Sequence, residues 1–180
     1  MIEKDSRSKE LAYLLRHDSE GYKLGKIDSH GWRKVKELCE DYKYTIFELE
    51  DLVETDSKGR YEFSEDKTLI RARQGHSIDV MVDSISEATP PPILYHGTSE
   101  KYLESIMSQG LIPKTRLYVH LSADIETAKK VGSRHSGKTI ILAVNSADMK
   151  NDGIVFKVSG NGVWLVPEVK PKYLEIYEAN

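Results

Sequence analysis

The amino-acid sequence predicts an α+β protein built from two lobes, and three observations support that class. In the first half, three segments with helical spacing precede two short extended runs. Three consecutive prolines stand at positions 90–92, and proline enters neither a helix interior nor a central strand. The second half alternates several strand-like runs with only two helices, which disfavours a doubly wound sheet. We therefore predict lobes over residues 1–86 and 93–180, joined by a proline-rich linker over 87–92.

The first lobe is predicted to contain three helices. Leucines at helical spacing indicate a first helix that ends at Arg16 and His17, where the helix dipole stabilises basic side chains. Trp32 leads into a short second helix and is expected to anchor the core. A capping box formed by Thr45 and Glu48 opens the third helix. The position of Arg16 and His17 at the end of a helix can therefore be explained by helix stability alone, without a functional role.

Two extended runs, residues 60–63 and 68–73, are joined by polar residues and predict a β-hairpin. Three helices followed by a hairpin form a winged-helix pattern, which is common in nucleic-acid-binding modules. Arg71 and Arg73 occupy alternate positions of the second run and project to the same face. Two planar guanidiniums on one face suit a phosphate, although a charged strand edge has the same pattern. Gly75 then allows the backbone to turn or to approach a ligand closely.

Two strand-to-helix junctions distinguish the second lobe. His96 ends a strand and is followed by Gly97 and Thr98, so an imidazole, backbone N–H groups and a hydroxyl come together. Such a combination suits the ribose or pyrophosphate of a nucleotide. His120 lies in the strand before the second helix, although a histidine in a strand is often purely structural. Walker and Gly-x-Gly-x-x-Gly motifs are absent from the sequence, which leaves a Rossmann site unsupported.

The two helices of the second lobe are expected to begin at Ser99 and Ser122, whose hydroxyls suit an N-cap. Gly110 and Gly132 are expected to end them. Arg134 follows the second helix in a loop bracketed by glycines. Loops on a rigid scaffold often carry binding groups, but a solvated loop charge explains the residue equally well.

Composition excludes several classes of function. The only cysteine, Cys39, rules out an internal disulfide and fits a reducing compartment, so we expect a cytoplasmic protein. Six scattered histidines show no metal-ligand spacing, and no apolar run is long enough for a membrane span. A net charge of −3 argues against tight non-specific binding to nucleic acid. A polyanionic substrate still fits if positive charge is concentrated locally.

Taken in chain order, the motifs resemble those of the NAD-dependent tRNA 2′-phosphotransferase family. The matching stretches are SKELAYLLRH (8–17), GW (31–32), IRARQGHS (70–77), LYHGTS (94–99), VHLS (119–122), VGSRH (131–135) and NGVWL (161–165). They span nearly the whole chain. The ordered set is far more specific than any single stretch.

The resemblance implies a winged-helix lobe that binds RNA and takes part in catalysis, followed by an ADP-ribosyltransferase-like lobe that holds NAD⁺ as co-substrate without a metal. The implied partners are NAD⁺ and an RNA that carries an internal 2′-phosphate, in RNA repair such as tRNA splicing, and we expect a monomer. In the first implied step, the 2′-phosphate attacks C1″ of the nicotinamide ribose and expels nicotinamide. In the second, O2″ attacks the phosphorus of the phospho-ADP-ribosylated RNA, which gives 2′-hydroxyl RNA and ADP-ribose 1″,2″-cyclic phosphate.

The resemblance also implies residue roles. The implied catalytic residues are Arg16, His17, Arg71 and Arg134. The implied NAD⁺-binding residues are His96, Gly97, Thr98, Ser99, His120, Leu121 and Ser122, and no metal ligand is implied. Arginines can orient a phosphate and neutralise its transition state without a metal, and His17 can bind phosphate or assist proton transfer at O2″.

Three positions depart from the family pattern and bear on substrate preference. Arg73 stands where the family commonly has asparagine, Tyr118 replaces a frequent histidine, and Glu168 interrupts a plainer Val-Pro segment. Two other functions are also consistent with the sequence. One is an ADP-ribosyltransferase that caps terminal RNA or DNA phosphates, and the other is a non-enzymatic winged-helix protein that senses NAD⁺. The apolar strand around Val163 lacks a late glutamate, which disfavours modification of proteins.

Overall fold

The computed structural model describes residues 2–134 and 136–177. The chain divides into two compact units, Met1–Ile85 and Ser86–Asn180. Each unit combines helices with small antiparallel sheets, so the predicted α+β class is confirmed. His135, which belongs to one of the motifs quoted above, lies outside the described residues.

The first unit joins short helices to a three-stranded sheet. Its helices are α1 (Ile2–Arg16), α2 (Ser19–Lys23), α3 (Val35–Tyr42) and α4 (Ile46–Glu54), and its strands are β1 (Arg33–Lys34), β2 (Tyr61–Phe63) and β3 (Leu69–Ala72). Helix α2 was not predicted. Asp18 caps it, because its Oδ1 accepts a hydrogen bond of 2.9 Å from the Gly21 amide. The predicted cap of α4 is confirmed, with Thr45 Oγ1 accepting from the Glu48 amide at 3.1 Å.

Strand β3 lies at the centre of this sheet, between β1 and β2, and both pairings are antiparallel. The register places Ile70 opposite Phe63 and Arg71 opposite Glu62. Because side chains alternate along a strand, Ile70 and Ala72 enter the core with the leucines of α1, while Arg71 points to the other face. The sheet therefore presents a guanidinium on the face turned away from its core.

A buried ion-pair cluster lies beneath β1. Arg33 is fully buried, and its Nη1 donates to Asp18 Oδ2 at 2.8 Å while its Nη2 donates to Glu37 Oε1 at 2.7 Å. Nη1 also donates to the Leu14 carbonyl at 3.1 Å, which ties the cluster to α1. Burial by itself raises the pKa of Asp18, but hydrogen bonds from the Gly21 amide and from Arg33 hold that pKa below its usual value.

The second unit contains two antiparallel sheets. Its strands are β4 (Ser86–Glu87), β5 (Ile93–Ser99), β6 (Val119–Leu121), β7 (Thr139–Asn145), β8 (Lys157–Val158), β9 (Trp164–Val166) and β10 (Leu174–Ile176), and its helices are α5 (Leu103–Gln109), α6 (Ile125–Gly132) and α7 (Ser146–Asn151). One sheet has the order β10-β7-β5 and the other β4-β8-β9-β6. Leu94, Leu142, Val144 and Val166 are fully buried in the core of this unit.

The segment before β5 packs on the second unit. Ser86 and Glu87 pair with β8, and Pro90 is buried. The carbonyl of Pro91 accepts a hydrogen bond of 2.6 Å from Ser146 Oγ. Residues predicted to form a linker thus make hydrogen bonds to α7 and pair with β8. Among the described residues, no helix combines the length and apolar character that crossing a bilayer requires.

Three local predictions for side chains were wrong. Asp124, rather than Ser122, caps α6, and its Oδ1 accepts from the Thr127 amide at 2.7 Å. Ser99 makes no capping hydrogen bond, because its hydroxyl donates to the Ser136 carbonyl at 2.7 Å instead. Trp32 is only half-buried and contacts a guanidinium rather than the core.

We predict that Asp18→Asn lowers the free energy of unfolding at pH 7 by about 3 kcal/mol, because it leaves buried Arg33 without one of its two carboxylates. The folded-state pKa of Asp18 is depressed, so its stabilising contribution is present above the unfolded pKa of about 3.9 and is lost as the pH falls through the folded value. Urea unfolding at pH 7 and at pH 3 measures this difference. Asp5→Asn, which removes an exposed pair with Lys9, is the control expected to unfold like the wild type. A Asp18→Asn protein as stable as that control would contradict the prediction.

Candidate active site

Arg71 is held on the face of the first unit's sheet by its neighbours on both adjoining strands. Its Nε donates to Oε1 of Glu62, the residue directly opposite on β2, at 2.7 Å. On the β1 side, Trp32 directly precedes Arg33, the residue that pairs with Ile70. The centroid of the Trp32 ring lies 4.1 Å from Arg71 Cζ. A guanidinium held between a carboxylate and an aromatic face is fixed in position, and the orientation of its plane is fixed as well.

Two further groups complete the surroundings of Arg71. Its Nη1 donates to the His30 carbonyl at 3.2 Å and to Asp83 Oδ2 at 3.1 Å. The hydrogen bond from Arg71 lowers the pKa of Asp83. The residue is only 5% exposed. Across the described residues, the Nη2 amino group is the nitrogen of Arg71 that makes no hydrogen bond to protein, so one edge of the fork remains for a ligand.

Arg16 is the last residue of α1, and its side chain is buried. Its Cζ lies 5.7 Å from the centre of the Tyr61 ring. Gly75 passes close to the guanidinium: with φ of +90°, an added Cβ there would lie 3.4 Å from Arg16 Cζ. The predicted turn at Gly75 is confirmed by its positive φ, and its close neighbour in the structure is Arg16; the predicted approach to a ligand stays a prediction.

His17 follows Arg16 and belongs to the same cluster. Its Nδ1 lies 3.0 Å from Ser77 Oγ. The Ser77 amide in turn donates to the Arg16 carbonyl at 3.0 Å. The end of α1 is thus bound to the segment after β3, which brings the Arg16-His17 pair and the 70–77 stretch together although about sixty residues separate them in sequence.

His76 lies among these charged groups and is 3% exposed. Burial, and then the positive charges of Arg16, His17 and Arg71, lower the pKa of His76 to about 4. The imidazole is therefore neutral at physiological pH. Its Nε2 has no hydrogen-bond partner in the described part of the chain, and a Cβ added to Gly31 would lie 3.4 Å from it. The neutral ring of His76 therefore adds no positive charge beside the guanidiniums of Arg16 and Arg71.

In the second unit, the two predicted histidines lie next to each other. His96 on β5 donates from Nδ1 to the His120 carbonyl on β6 at 3.2 Å, because a carbonyl oxygen can only accept. Tyr95 and Ser122 exchange a pair of backbone hydrogen bonds, each of 2.8 Å, which join the two strands at this point. Both imidazoles are half-buried. The structure therefore brings together the two junctions that the sequence had placed separately.

The neighbours of His96 and His120 are mostly occupied by packing. A Cβ added to Gly97 would lie 1.8 Å from the Ala128 carbonyl oxygen, so glycine is required where α6 crosses β5. Leu121 belongs to the core, and Thr98 and Ser99 are buried on β5. The role of Gly97, Thr98, Ser99 and Leu121 in NAD⁺ binding stays a prediction. The backbone groups of this region and the rings of His96 and His120 are the polar groups that could contact NAD⁺ most directly.

Arg134 lies one residue beyond the C-cap of α6 and is exposed. Its backbone amide donates to the Val131 carbonyl at 3.3 Å. Desolvation by neighbouring atoms is the first cause that lowers the pKa of Arg116, and the like charge of Arg134 is the second. Arg116 is exposed by its solvent-accessible area, so the effect of Arg134 is the more informative of the two. From this repulsion we infer that the guanidiniums of Arg116 and Arg134 lie near each other. The expectation that Arg134 acts with Arg16, His17 and Arg71 stays a prediction.

Sequence reasoning missed the residues that hold Arg71. Glu62 sat in a predicted strand but received no role, and Asp83 and His30 were not singled out. The hairpin register could have indicated Glu62, because opposite charges commonly face each other across a strand pair. Residues 2–134 and 136–177 contain no group of three or more histidine, cysteine, aspartate or glutamate residues arranged to hold a metal ion.

Together, the fold and the site define an α+β protein in which one unit carries a cluster of arginine and histidine suited to an anion, and the other carries a pair of adjacent histidines. Residues 3–168 match the family model described as RNA 2′-phosphotransferase, Tpt1 / KptA family. The chain belongs to this family.

Three relatives, each named probable RNA 2′-phosphotransferase, illustrate the similarity. The protein from Fusobacterium nucleatum is 46% identical over 170 residues, which cover 92% of this chain and 94% of the relative. The one from Burkholderia pseudomallei is 46% identical over 93% of this chain and 92% of its own length. The one from Flavobacterium johnsoniae is 47% identical over 94% of each.

We predict that Gly97→Ala lowers the free energy of unfolding by about 3 kcal/mol or prevents folding, because the added methyl group collides with the backbone of α6. Urea unfolding followed by circular dichroism measures the change. Gly153→Ala is the matched control: its φ is +85° but nothing lies within 4 Å of an added Cβ, so it tests backbone strain alone and should cost about 1 kcal/mol. Equal losses in the two variants would show that contact with α6 is not the cause.

We also predict that His76 makes stability depend on pH. The unfolded chain takes up a proton on this imidazole below about pH 6.5, whereas the folded protein does so only near pH 4. The free energy of unfolding should therefore fall as the pH decreases through this window, and His76 should account for about 2–3 kcal/mol of the loss. Urea unfolding of wild type and His76→Gln at pH 7 and pH 4.5 isolates this share. Parallel pH dependence in both proteins would refute it.

Proposed function

We propose that this protein is an RNA 2′-phosphotransferase that transfers an internal RNA 2′-phosphate to NAD⁺. The observation that carries the proposal is that Ser77 and Gly75 bind the end of α1, with Arg16 and His17, to the 70–77 stretch that holds Arg71, in a chain that belongs to this family. The products are 2′-hydroxyl RNA, nicotinamide and ADP-ribose 1″,2″-cyclic phosphate. A phospho-ADP-ribosylated RNA is the intermediate.

The first unit is proposed as a winged-helix lobe that binds the RNA. Helices precede the β2–β3 hairpin in the chain, and β1 adds a third strand to it, as in a winged helix. In this assignment the hairpin presents Arg71 to the RNA. Arg71 is already oriented by Glu62, Asp83 and Trp32, so little side-chain entropy is lost when its Nη2 group binds a phosphate.

The second unit is proposed as an ADP-ribosyltransferase-like lobe that holds NAD⁺. The residues present fit such a molecule: His96 and His120 offer imidazoles to ribose hydroxyls, and exposed Arg134 and Arg116 offer charge to phosphates. When bound, NAD⁺ supplies an electrophilic ribose carbon with nicotinamide as leaving group. Gly97 contributes indirectly, because it lets α6 lie against the strand that carries His96.

The cationic cluster serves both chemical steps. Arg16 and Arg71 bind the 2′-phosphate and orient one of its oxygens for attack on the ribose carbon. In the second step the same guanidiniums neutralise charge on the phosphorus as O2″ attacks and the RNA 2′-oxygen departs. The proton lost by O2″ must reach that departing oxygen, and His17, fixed by Ser77, is the group we assign to this transfer. Arg134 is the proposed fourth member of the set.

The test is an assay with NAD⁺ and an oligonucleotide that carries one internal 2′-phosphate. We expect the wild type to release nicotinamide and to form 2′-hydroxyl RNA together with the cyclic phosphate. Arg71→Gln should lower the rate about 10²–10³-fold, because one preorganised donor at the phosphate is lost. Arg71→Lys keeps the charge but not the planar fork, so it should recover only part of the rate. Lys9→Gln on α1 removes an exposed charge and is the control with wild-type rate.

Two results would overturn the proposal. Accumulation of stable ADP-ribosylated RNA, with no cyclic phosphate, would instead identify an enzyme that stops after the first step. Absence of nicotinamide release, in a protein that folds and binds NAD⁺, would favour a non-enzymatic NAD⁺-sensing protein. An Arg71→Gln protein as fast as the wild type would remove Arg71 from the site.

A further inference from the structure

Arg73 lies beside Arg71 and shares Glu62 with it, although Arg73 is not part of the proposed catalytic cluster. It follows Arg71 by two residues, so both side chains leave the hairpin on one face, about 7 Å apart along the strand. Its amide donates to the Arg60 carbonyl at 2.9 Å, which continues the β2–β3 pairing to this residue. The position of Arg73 relative to Arg71 is therefore set by the sheet.

Glu62 connects the two arginines. Its Oε1 accepts from Arg71 Nε at 2.7 Å, and its Oε2 accepts from Arg73 Nε at 3.1 Å. One carboxylate thus orients two guanidiniums through the same nitrogen of each. Asp83 is a second carboxylate bound to Arg71, at Nη1, so Nη2 of Arg71 and both Nη atoms of Arg73 are the guanidinium nitrogens of this pair that make no hydrogen bond to the described residues.

Within the described residues, Nε is the nitrogen of the Arg73 guanidinium that donates a hydrogen bond to protein. Neither Nη1 nor Nη2 donates a hydrogen bond to protein, and 31% of the side chain is exposed. Arg60, which is opposite Arg73 on the neighbouring strand segment, differs in this respect. Its Nε donates to Asp56 at 3.0 Å and its Nη2 to Ser8 Oγ at 3.3 Å. Of these two neighbouring arginines, Arg73 is the one that presents unused donors.

We propose that Arg73 forms a second phosphate subsite, which binds the phosphodiester on the 3′ side of the nucleotide that carries the 2′-phosphate. The inference rests on the proposed function, in which Arg71 binds the 2′-phosphate. On an internal nucleotide the two phosphates occupy neighbouring oxygens of one ribose, so two guanidiniums on one strand face, oriented by one carboxylate, match them in arrangement. A 2′-phosphate at the 3′ end of an RNA lacks the second group. Arg73 therefore selects internal over terminal 2′-phosphates.

The experiment compares two oligonucleotides of equal length and equal phosphate number. One carries the 2′-phosphate on an internal nucleotide, and the other carries it on the 3′-terminal nucleotide beside a free 3′-hydroxyl. We expect Arg73→Gln to lower kcat/KM about tenfold for the internal substrate and less than twofold for the terminal one. For the internal substrate, the slope of log affinity against log salt should decrease by about 0.7, which corresponds to one phosphate contact on a single strand.

Two further variants separate this subsite from general effects of charge. Arg73→Lys keeps the charge and should retain most of the preference for the internal substrate. Lys34→Gln removes an exposed charge from β1 of the same sheet and should change neither substrate. Thermal unfolding of each variant verifies that the fold is intact.

The outcomes are distinct. Equal losses for both substrates in Arg73→Gln would mean that Arg73 acts only through Glu62 on Arg71, and would overturn the subsite. No loss for either substrate would overturn it as well. If the wild type reacts with neither substrate, the proposed function fails on its own. Fluorescence anisotropy with the same two oligonucleotides then decides the subsite, because the wild type must bind the internal one more tightly and Arg73→Gln must remove that difference.

Discussion

The ion pair between Glu62 and Arg71 is the interaction on which the candidate site of the first unit depends. It forms because the antiparallel register of β2 and β3 places the two residues directly opposite each other. A one-residue slip of that register would turn Arg71 toward the core and Ile70 toward the other face. The burial of Ile70 and Ala72 therefore holds the Arg71 guanidinium on the opposite face, so the alternation of side chains along β3 specifies both the core and the candidate site.

Several positively charged side chains lie in the first unit, and neighbouring carboxylates or a neutral imidazole limit the repulsion among them. Arg33, at the base of the sheet, is neutralised by two carboxylates and serves the fold. Arg71 shares Glu62 with Arg73, and His76 contributes no charge because burial and its cationic neighbours keep it neutral. The net charge of the chain is −3, yet Nη2 of Arg71 and both Nη atoms of Arg73 make no hydrogen bond to protein within the described residues. A local cationic site within an acidic protein fits a specific anion better than non-specific binding to nucleic acid.

Several elements were predictable because their signals are local. The capping box at Thr45 and Glu48 requires only residues within one helical turn, and the alternation of Arg71 and Arg73 requires only a strand. Trp32 was assigned wrongly to the core, because its partner Arg71 is distant in sequence and aromatic burial is the usual outcome. Helix α2 was missed because its Asp18 cap lies in a segment rich in turn residues, where five residues give little periodicity.

The sequence by itself determined the α+β class, the ordered motifs and hence the family, because residue types and their spacing are one-dimensional properties. It also supplied Arg16, His17 and Arg71 as candidates. Only the tertiary structure decided that α1 and the 70–77 stretch meet through Ser77, that His96 lies beside His120, and that Glu62 holds two arginines. Those contacts join residues far apart in the chain. Their geometry follows from strand register and burial, which no local pattern encodes.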